Sequence, residues 1–393
     1  MTEPYLIKWL SKYPKDGGWM YAVACKANLK KEMKNMNHLG IDVGKRKCSR
    51  AALKDDKGMM LDEFFFGNDM SGIHNMLSRI QSHGKGATIG AVLESTGNMW
   101  IRIHDTLEEN GIDTKLANPY KTRIIAEAKI KSDKLDARIL SDLLRTDLIY
   151  ESYVPNSEDR DKRSLVRHRI TLSRTKTKLA NKVHSILDKY DYQTDLTDIF
   201  SKSGIEWLKS LSSIVTPVDR IILNTSIESI EAINQQVDTV SKEISKYARD
   251  NKDVKILLSI TGIDIFSAML ISAEIVDVRR FSTPWKLVSY AGLAPSIRES
   301  SGKIKTGKIT KQGSSPCLRW ILVQCALTAI RFDAHLRIFY DRIRNKRGHA
   351  TAIVATTAKE LLVIIWYMLT RNELYRYMNK QRYEQKLHKL EHR

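Results

Sequence analysis

The chain has 393 residues, with 65 Lys plus Arg against 45 Asp plus Glu, a formal net charge of +20 and a sequence pI near 9.6. An excess of that size points to a polyanionic partner, nucleic acid first, while 42% hydrophobic residues supply real cores and argue against a disordered chain. The four cysteines, Cys25, Cys48, Cys317 and Cys325, form no C-x-x-C pair, which argues against a disulfide framework and a Cys-based zinc site.

Residues 1–35 show no clear period, and Met36 opens directly into a strand-like run, so the first 35 are expected to be an extension or an upstream start. Alternation predicts strands over 39–43, 48–53 and 59–66, with a turn at Asp55-Asp56-Lys57-Gly58. A helix over 71–82, a strand over 88–93, a helix over 100–109, a strand over 112–116 and a helix over 132–144 follow. Three strands, helix, strand, helix, strand, helix is the element order of an α/β ribonuclease-H-like domain, here residues 36–155.

Beyond Pro155 the pattern changes. From Lys162 to Lys182 there are eight basic residues and no acidic one, while Leu165, Leu172, Leu179 and Ile186 recur every seven positions. A long basic helix with a coiled-coil-like stripe is expected, followed by a second helix over 218–248, together a helical middle region at 156–250. A plain solvated helix pair would give the same periodicity; the absence of acid favours phosphate contact through Arg163, Arg167, Arg174, Lys178 and Lys182.

The last region, 251–393, is expected to be mostly α. Apolar positions around Gly262 resemble a helix-hairpin-helix, although Asp264 stands where that motif has a second Gly, and an ordinary helical hairpin fits equally well. A polar stretch from Ser296 to Ser315 carries Lys303, Lys308 and Lys311, and helices are expected over 318–332 and 350–369. Lys359 and Glu360 divide the apolar stretches 350–358 and 361–370, so neither half reaches the roughly 20 residues a bilayer requires. Pro4, Pro14 and Asp16-Gly17-Gly18 break any signal-peptide core, and a cytoplasmic protein without a membrane partner is the expectation. A basic tail carries Tyr375, Tyr377 and Tyr383 among seven Lys or Arg after Thr370.

Four acids are placed to act together. Asp42 lies within the first strand between two glycines, Glu94 ends the fourth, and Asp133 and Asp136 are three apart on the last helix of the α/β domain. Each alone could be a cap or an ion-pair partner; jointly they make an oxygen-rich site that suits Mg²⁺ or Mn²⁺. In R-E-S-S-G-K, Ser300 and Ser301 precede Gly302 amid positive charge but with no local His, so the residues alone read as a phosphate-binding loop before a nucleophile.

These pieces carry a resemblance. G-I-D-V-G-K at Gly40, L-E-S-T-G at Leu93, K-S-D-K-L-D-A at Lys131, Y-A-G-L-A-P at Tyr290, S-S-G-K at Ser300, I-T-K-Q-G at Ile309 and K-R-G-H-A at Lys346 occur in an order that resembles one family. It is the DEDD transposases of insertion sequences numbered one hundred and ten, which includes the Piv DNA invertases. The resemblance implies a RuvC-like domain whose Asp42, Glu94, Asp133 and Asp136 bind divalent metal, and a C-terminal transposase domain in which Ser301 is the nucleophile. It further implies DNA as substrate, a structured guide RNA, and a dimer or tetramer. A metal-dependent Holliday-junction-type nuclease using water, and a non-catalytic nucleic-acid-binding protein, are the alternatives.

Overall fold

The computed structural model describes residues 36–44, 47–83, 87–95, 97–130, 136–300, 303–309 and 313–392. The expected N-terminal extension lies outside them. The chain forms two compact units, Met1–Val154 and Pro155–Arg393.

The first unit holds a mixed sheet of β1 (Met36–Asp42), β2 (Cys48–Lys54), β3 (Met60–Gly67), β4 (Thr88–Glu94) and β5 (Asp113–Ala117), in the order β3-β2-β1-β4-β5. The first three strands form an antiparallel meander, and β4 and β5 continue it in parallel to β1. The turn between β2 and β3 is built by Asp55, whose Oδ1 accepts from the backbone N–H of Lys57 and Met59, with Gly58 at φ +86°. Helices α1 (Met70–His83) and α2 (Met99–Glu109) lay Ile73, Met76, Leu77, Ile80, Ile103 and Leu107 on one face of the sheet. Two helices follow β5, where one was expected, over 132–144. The first, α3 (Pro119–Ile130), starts at a Pro whose preceding Asn118 accepts from Lys121 N–H, a start signal in the sequence that alternation does not register. The second, α4 (Ala137–Arg145), begins later than expected because Asp136 caps it.

In the second unit, α5 (Ser157–Lys189) and α7 (Pro217–Arg249) are joined through α6 (Lys202–Leu211) and run antiparallel: Lys189 meets Asp219 near one end, and Arg169 meets Ser241 towards the other. The seven-residue stripe is thus covered by the same chain. Val183, Ile186 and Leu187 pack with Leu208, Leu223, Ile227 and Ile230 at the tip. At the base, Val166, Ile170, Ile244 and Ala248 belong to one core with α8 (Lys252–Leu258), α9 (Ile265–Ile275) and α10 (Pro284–Tyr290). The boundary expected at residue 250 is therefore bridged by continuous apolar packing.

Three further expectations are revised. A Cβ on Gly262 (φ +98°) would lie 2.8 Å from the backbone N of Ala329 in α11 (Pro316–Phe332), so this turn is packed against a helix in place of presenting its amides to phosphate; Asp264 caps α9. The stretch read as a loop contains an antiparallel hairpin, β6 (Pro295–Ser300) and β7 (Lys303–Ile309). After α12 (Ala334–Arg347), the two apolar stretches join: α13 (His349–Thr356), a π turn (Thr357–Leu361) carrying Lys359 and Glu360, and α14 (Leu362–Arg371) make a 23-residue helical run. By length and composition it could cross a bilayer, yet Leu361, Leu362, Ile365, Met368 and Leu369 are spent on the core. A last helix, α15 (Lys380–Glu391), ends the fold.

Candidate active site

Strand alternation decides which acids meet. Leu39, Ile41 and Val43 enter the core beneath α1 and α2, which puts Gly40 and Asp42 on the opposite face; Leu93 enters the same core, which puts Val92 and Glu94 with Asp42. Ile41 lies beside Leu93 in the parallel register, so Asp42 and Glu94, each one residue further on, end adjacent strands at one edge. Both are half-buried. Burial pushes the Glu94 carboxyl above its usual range, and the charge of Asp42 pushes it further.

Helix α4 covers this face. Gly40 admits it: a Cβ there would lie 2.0 Å from the carbonyl oxygen of Ala137 and 2.5 Å from the Ser141 nitrogen. Ser141 Oγ donates to the His38 carbonyl at 2.8 Å, and Lys54 Nζ, nearly buried, donates to Asp142 at 2.6 Å. Arg138 grips Glu63 of β3 through two hydrogen bonds of 2.8 and 2.5 Å, and Arg50 meets the same carboxylate. The Ser141 bond ties α4 to the strand that carries Asp42, and the Lys54 and Arg138 bonds tie it to β2 and β3. Asp136 stands at its N-cap, with Oδ1 accepting from Ile139 N–H at 2.9 Å. Asp133 lies outside the described residues. Among the described residues no group of three or more His, Cys, Asp or Glu is gathered for a metal ion. The structure thus pairs Asp42 with Glu94 and places Asp136 at the start of the helix covering their face.

In the second unit, Ser301 and Lys311 lie outside the described residues. Ser300 and Lys303, which flank Ser301-Gly302 in sequence, are a cross-strand pair, and Lys308 is exposed. The basic helix divides in two. Arg163 donates to the carbonyls of Ala273 and Glu274, and Arg167 makes hydrogen bonds of 2.7 and 2.9 Å to the carboxylate of Glu274, which is 0% exposed. These two expected phosphate contacts are therefore committed inside the unit. Arg174, Lys178 and Lys182 are exposed and four apart, which aligns them in one stripe. Glu274 escaped the sequence reading: Ser315 Oγ donates to its carboxylate at 2.9 Å and Tyr290 donates to its carbonyl, so it ties α5, α9, α10 and the start of α11 together. A lone acid closing the apolar run I-F-S-A-M-L-I-S-A-E-I was the available signal, because a buried carboxylate demands a cation.

A family model of DEDD-type IS110 proteins, described as Transposase, matches residues 39–191, and a second, Transposase IS116/IS110/IS902 family, matches residues 254–341. The chain belongs to the IS110 family of transposases. The transposase is 24% identical over 303 residues to the transposase for insertion sequence element IS1111A of Coxiella burnetii, covering 72% of this chain and 79% of that one. It is 23% identical over 356 residues to the transposase for IS1328 of Yersinia enterocolitica, covering 87% and 99%. The first match spans Asp42, Glu94 and Asp136 together with the arm residues Arg163 to Lys182; the second spans Glu274, the β6–β7 hairpin and Ser301.

Proposed function

We propose that the transposase cuts and rejoins DNA strands through a ribonuclease-H-like acid site, Asp42, Glu94, Asp133 and Asp136, working with Ser301 as nucleophile. The observation that carries the acid half is the Asp42–Glu94 pair: two carboxylates ending adjacent parallel strands, one of them raised in pKa by burial and by the other's charge. Such repulsion is relieved by a divalent cation, and an all-oxygen donor set suits Mg²⁺ or Mn²⁺. Bound there, the metal would stabilise charge on the attacked phosphate and on the leaving oxygen.

In the proposed step Ser301 Oγ bonds to phosphorus as one P–O bond of the DNA backbone breaks. The hydroxyl proton passes to a base, and the departing oxygen takes up a proton. A DNA hydroxyl then displaces the serine, which restores the side chain and rejoins a strand. The reading requires Ser301 to meet the acids within one chain or from a neighbouring subunit of a homo-oligomer. Arg174, Lys178 and Lys182 on the arm, with Lys303, Lys308 and Lys311 around the hairpin, serve phosphates, and a structured guide RNA is the ligand proposed for the arm.

The test is chemical. Incubated with element-end DNA and the flanking transcript, the protein should form a covalent protein–DNA adduct stable to denaturant. Ser301→Ala should abolish the adduct while Ser300→Ala keeps it. Cut DNA with no adduct would make water the nucleophile and the protein a nuclease.

A further inference from the structure

The junction of α11 with α12 and the segment leading into α15 gather aromatic rings and cations that neither the acid site nor the arm uses. Phe332 is 58% exposed and Arg382 lies over its ring at 4.7 Å. Tyr377 is 54% exposed; His335 stacks on it at 4.9 Å with an interplanar angle of 19°, and Arg376 lies 5.8 Å from its centroid. Arg342 covers Phe339 at 4.9 Å, and Arg371 covers Tyr367 at the same distance. Cation–π pairs of consequence occur about once in 70–80 residues, so this concentration within some fifty residues exceeds what a fold ordinarily uses. Rings left half in water contribute little to a core, and Ile338, 72% exposed, adds further uncovered apolar surface.

Charge decides what this surface fits. Arg342, Arg376 and Arg382 are exposed and take part in no ion pair among the described residues, whereas Arg337 is paired with Asp341, and Glu360 approaches His335 at 3.5 Å. An acidic protein would satisfy the cations but has no use for flat half-exposed rings. A duplex would offer phosphates while keeping its bases stacked on one another. Unpaired bases and their phosphates use both features, since rings stack on bases and guanidinium groups meet the backbone.

We propose that Phe332, His335, Tyr377, Arg376 and Arg382 form a binding surface for an unpaired nucleic-acid strand, separate from the acid site and the arm stripe. Strand separation during recombination and the loops of a folded RNA both supply this chemistry, and the test separates the two sources.

The full-length protein is titrated by fluorescence anisotropy with oligo-dT, oligo-U and a blunt duplex, each about 12 nucleotides long. Phe332→Ala and Tyr377→Ala should each weaken single-strand binding about fivefold or more and leave duplex binding within about twofold, while Phe332→Tyr and Tyr377→Phe, which keep a ring, should bind as wild type. The larger loss, in oligo-dT or in oligo-U, names the source. Equal losses for single strand and duplex, or none for either, would overturn the proposal. Should the alanine variants unfold, photocross-linking of wild type to 5-bromouracil or 4-thiouracil oligonucleotides decides: adducts on peptides holding Phe332 or Tyr377 support it, and adducts confined to other peptides overturn it.

Discussion

Glu94 shows how one side chain records the demand of its site. Its folded-state pKa is raised, so the folded protein holds this proton more tightly than the unfolded chain does. The resulting cost is absent at low pH, where both states are protonated, grows as pH rises through the ordinary glutamate range, and is complete above the raised value. Glu94→Gln is expected to stabilise the metal-free protein at neutral pH, by no more than about 1 kcal/mol given its partial exposure, and to match wild type near about pH 3; thermal unfolding of both proteins across that range measures it. A second residue-scale contrast lies on α5. Arg167→Ala leaves the fully buried carboxylate of Glu274 without its cation and with only the Ser315 hydroxyl, and should cost about 3 kcal/mol in chemical denaturation, whereas alanine at Lys178 should leave stability nearly unchanged. Equal effects at the two positions would contradict the division of the basic helix into structural and binding parts.

At the scale of elements, alternation and heptad spacing located what depends on local pattern and missed what depends on contact. The five strands follow period-two signals, and Ser157–Lys189 follows the stripe of Leu165, Leu172, Leu179 and Ile186. The neighbouring placement of β1 and β4, hence the meeting of Asp42 and Glu94, was legible once the element order was read. Helix α3 and helix α12 were missed: α3 lacks a clear apolar stripe, and in α12 the stripe of Leu336, Tyr340 and Ile343 is short and interleaved with basic residues. Nothing local could tell that Arg163 and Arg167 bond to α9 while Arg174, Lys178 and Lys182 point to solvent, because that difference is made by α9, about a hundred residues away. Reversing the three outward charges to Glu should lower nucleic-acid affinity and flatten its dependence on log salt by about 2, leaving the unfolding midpoint near wild type. The arm tip has its own lock. Lys189, Tyr190 and Thr216 all donate to Asp219 and hold its carboxyl at about 2, so this contribution is present above the ordinary aspartate range and is lost progressively as pH falls from that range through about 2. Asp219→Asn should loosen the tip at neutral pH, read as faster amide exchange in α6 and at the adjoining ends of α5 and α7.

For the whole molecule, the +20 charge and the acid pair fit the proposed reaction: a basic protein collects phosphates, and in the proposal the acid pair would hold the metal that acts on one of them. The two compact units divide the parts accordingly, with Asp42, Glu94 and Asp136 in the first and the arm, the hairpin and the aromatic surface in the second. Membership of a transposase family makes DNA strand exchange the activity; the acids, the metal and the serine are the proposed means. Strand cleavage of element-end DNA, followed against Mg²⁺ concentration for wild type and Asp42→Asn, bears on those means without intermediaries. Wild-type cleavage should rise from nothing in EDTA to a plateau with Mg²⁺, and Asp42→Asn should fall at least about a hundredfold below that plateau while still binding DNA. Full cleavage in EDTA, or wild-type rates from Asp42→Asn, would contradict the assignment of the acid pair as the metal site.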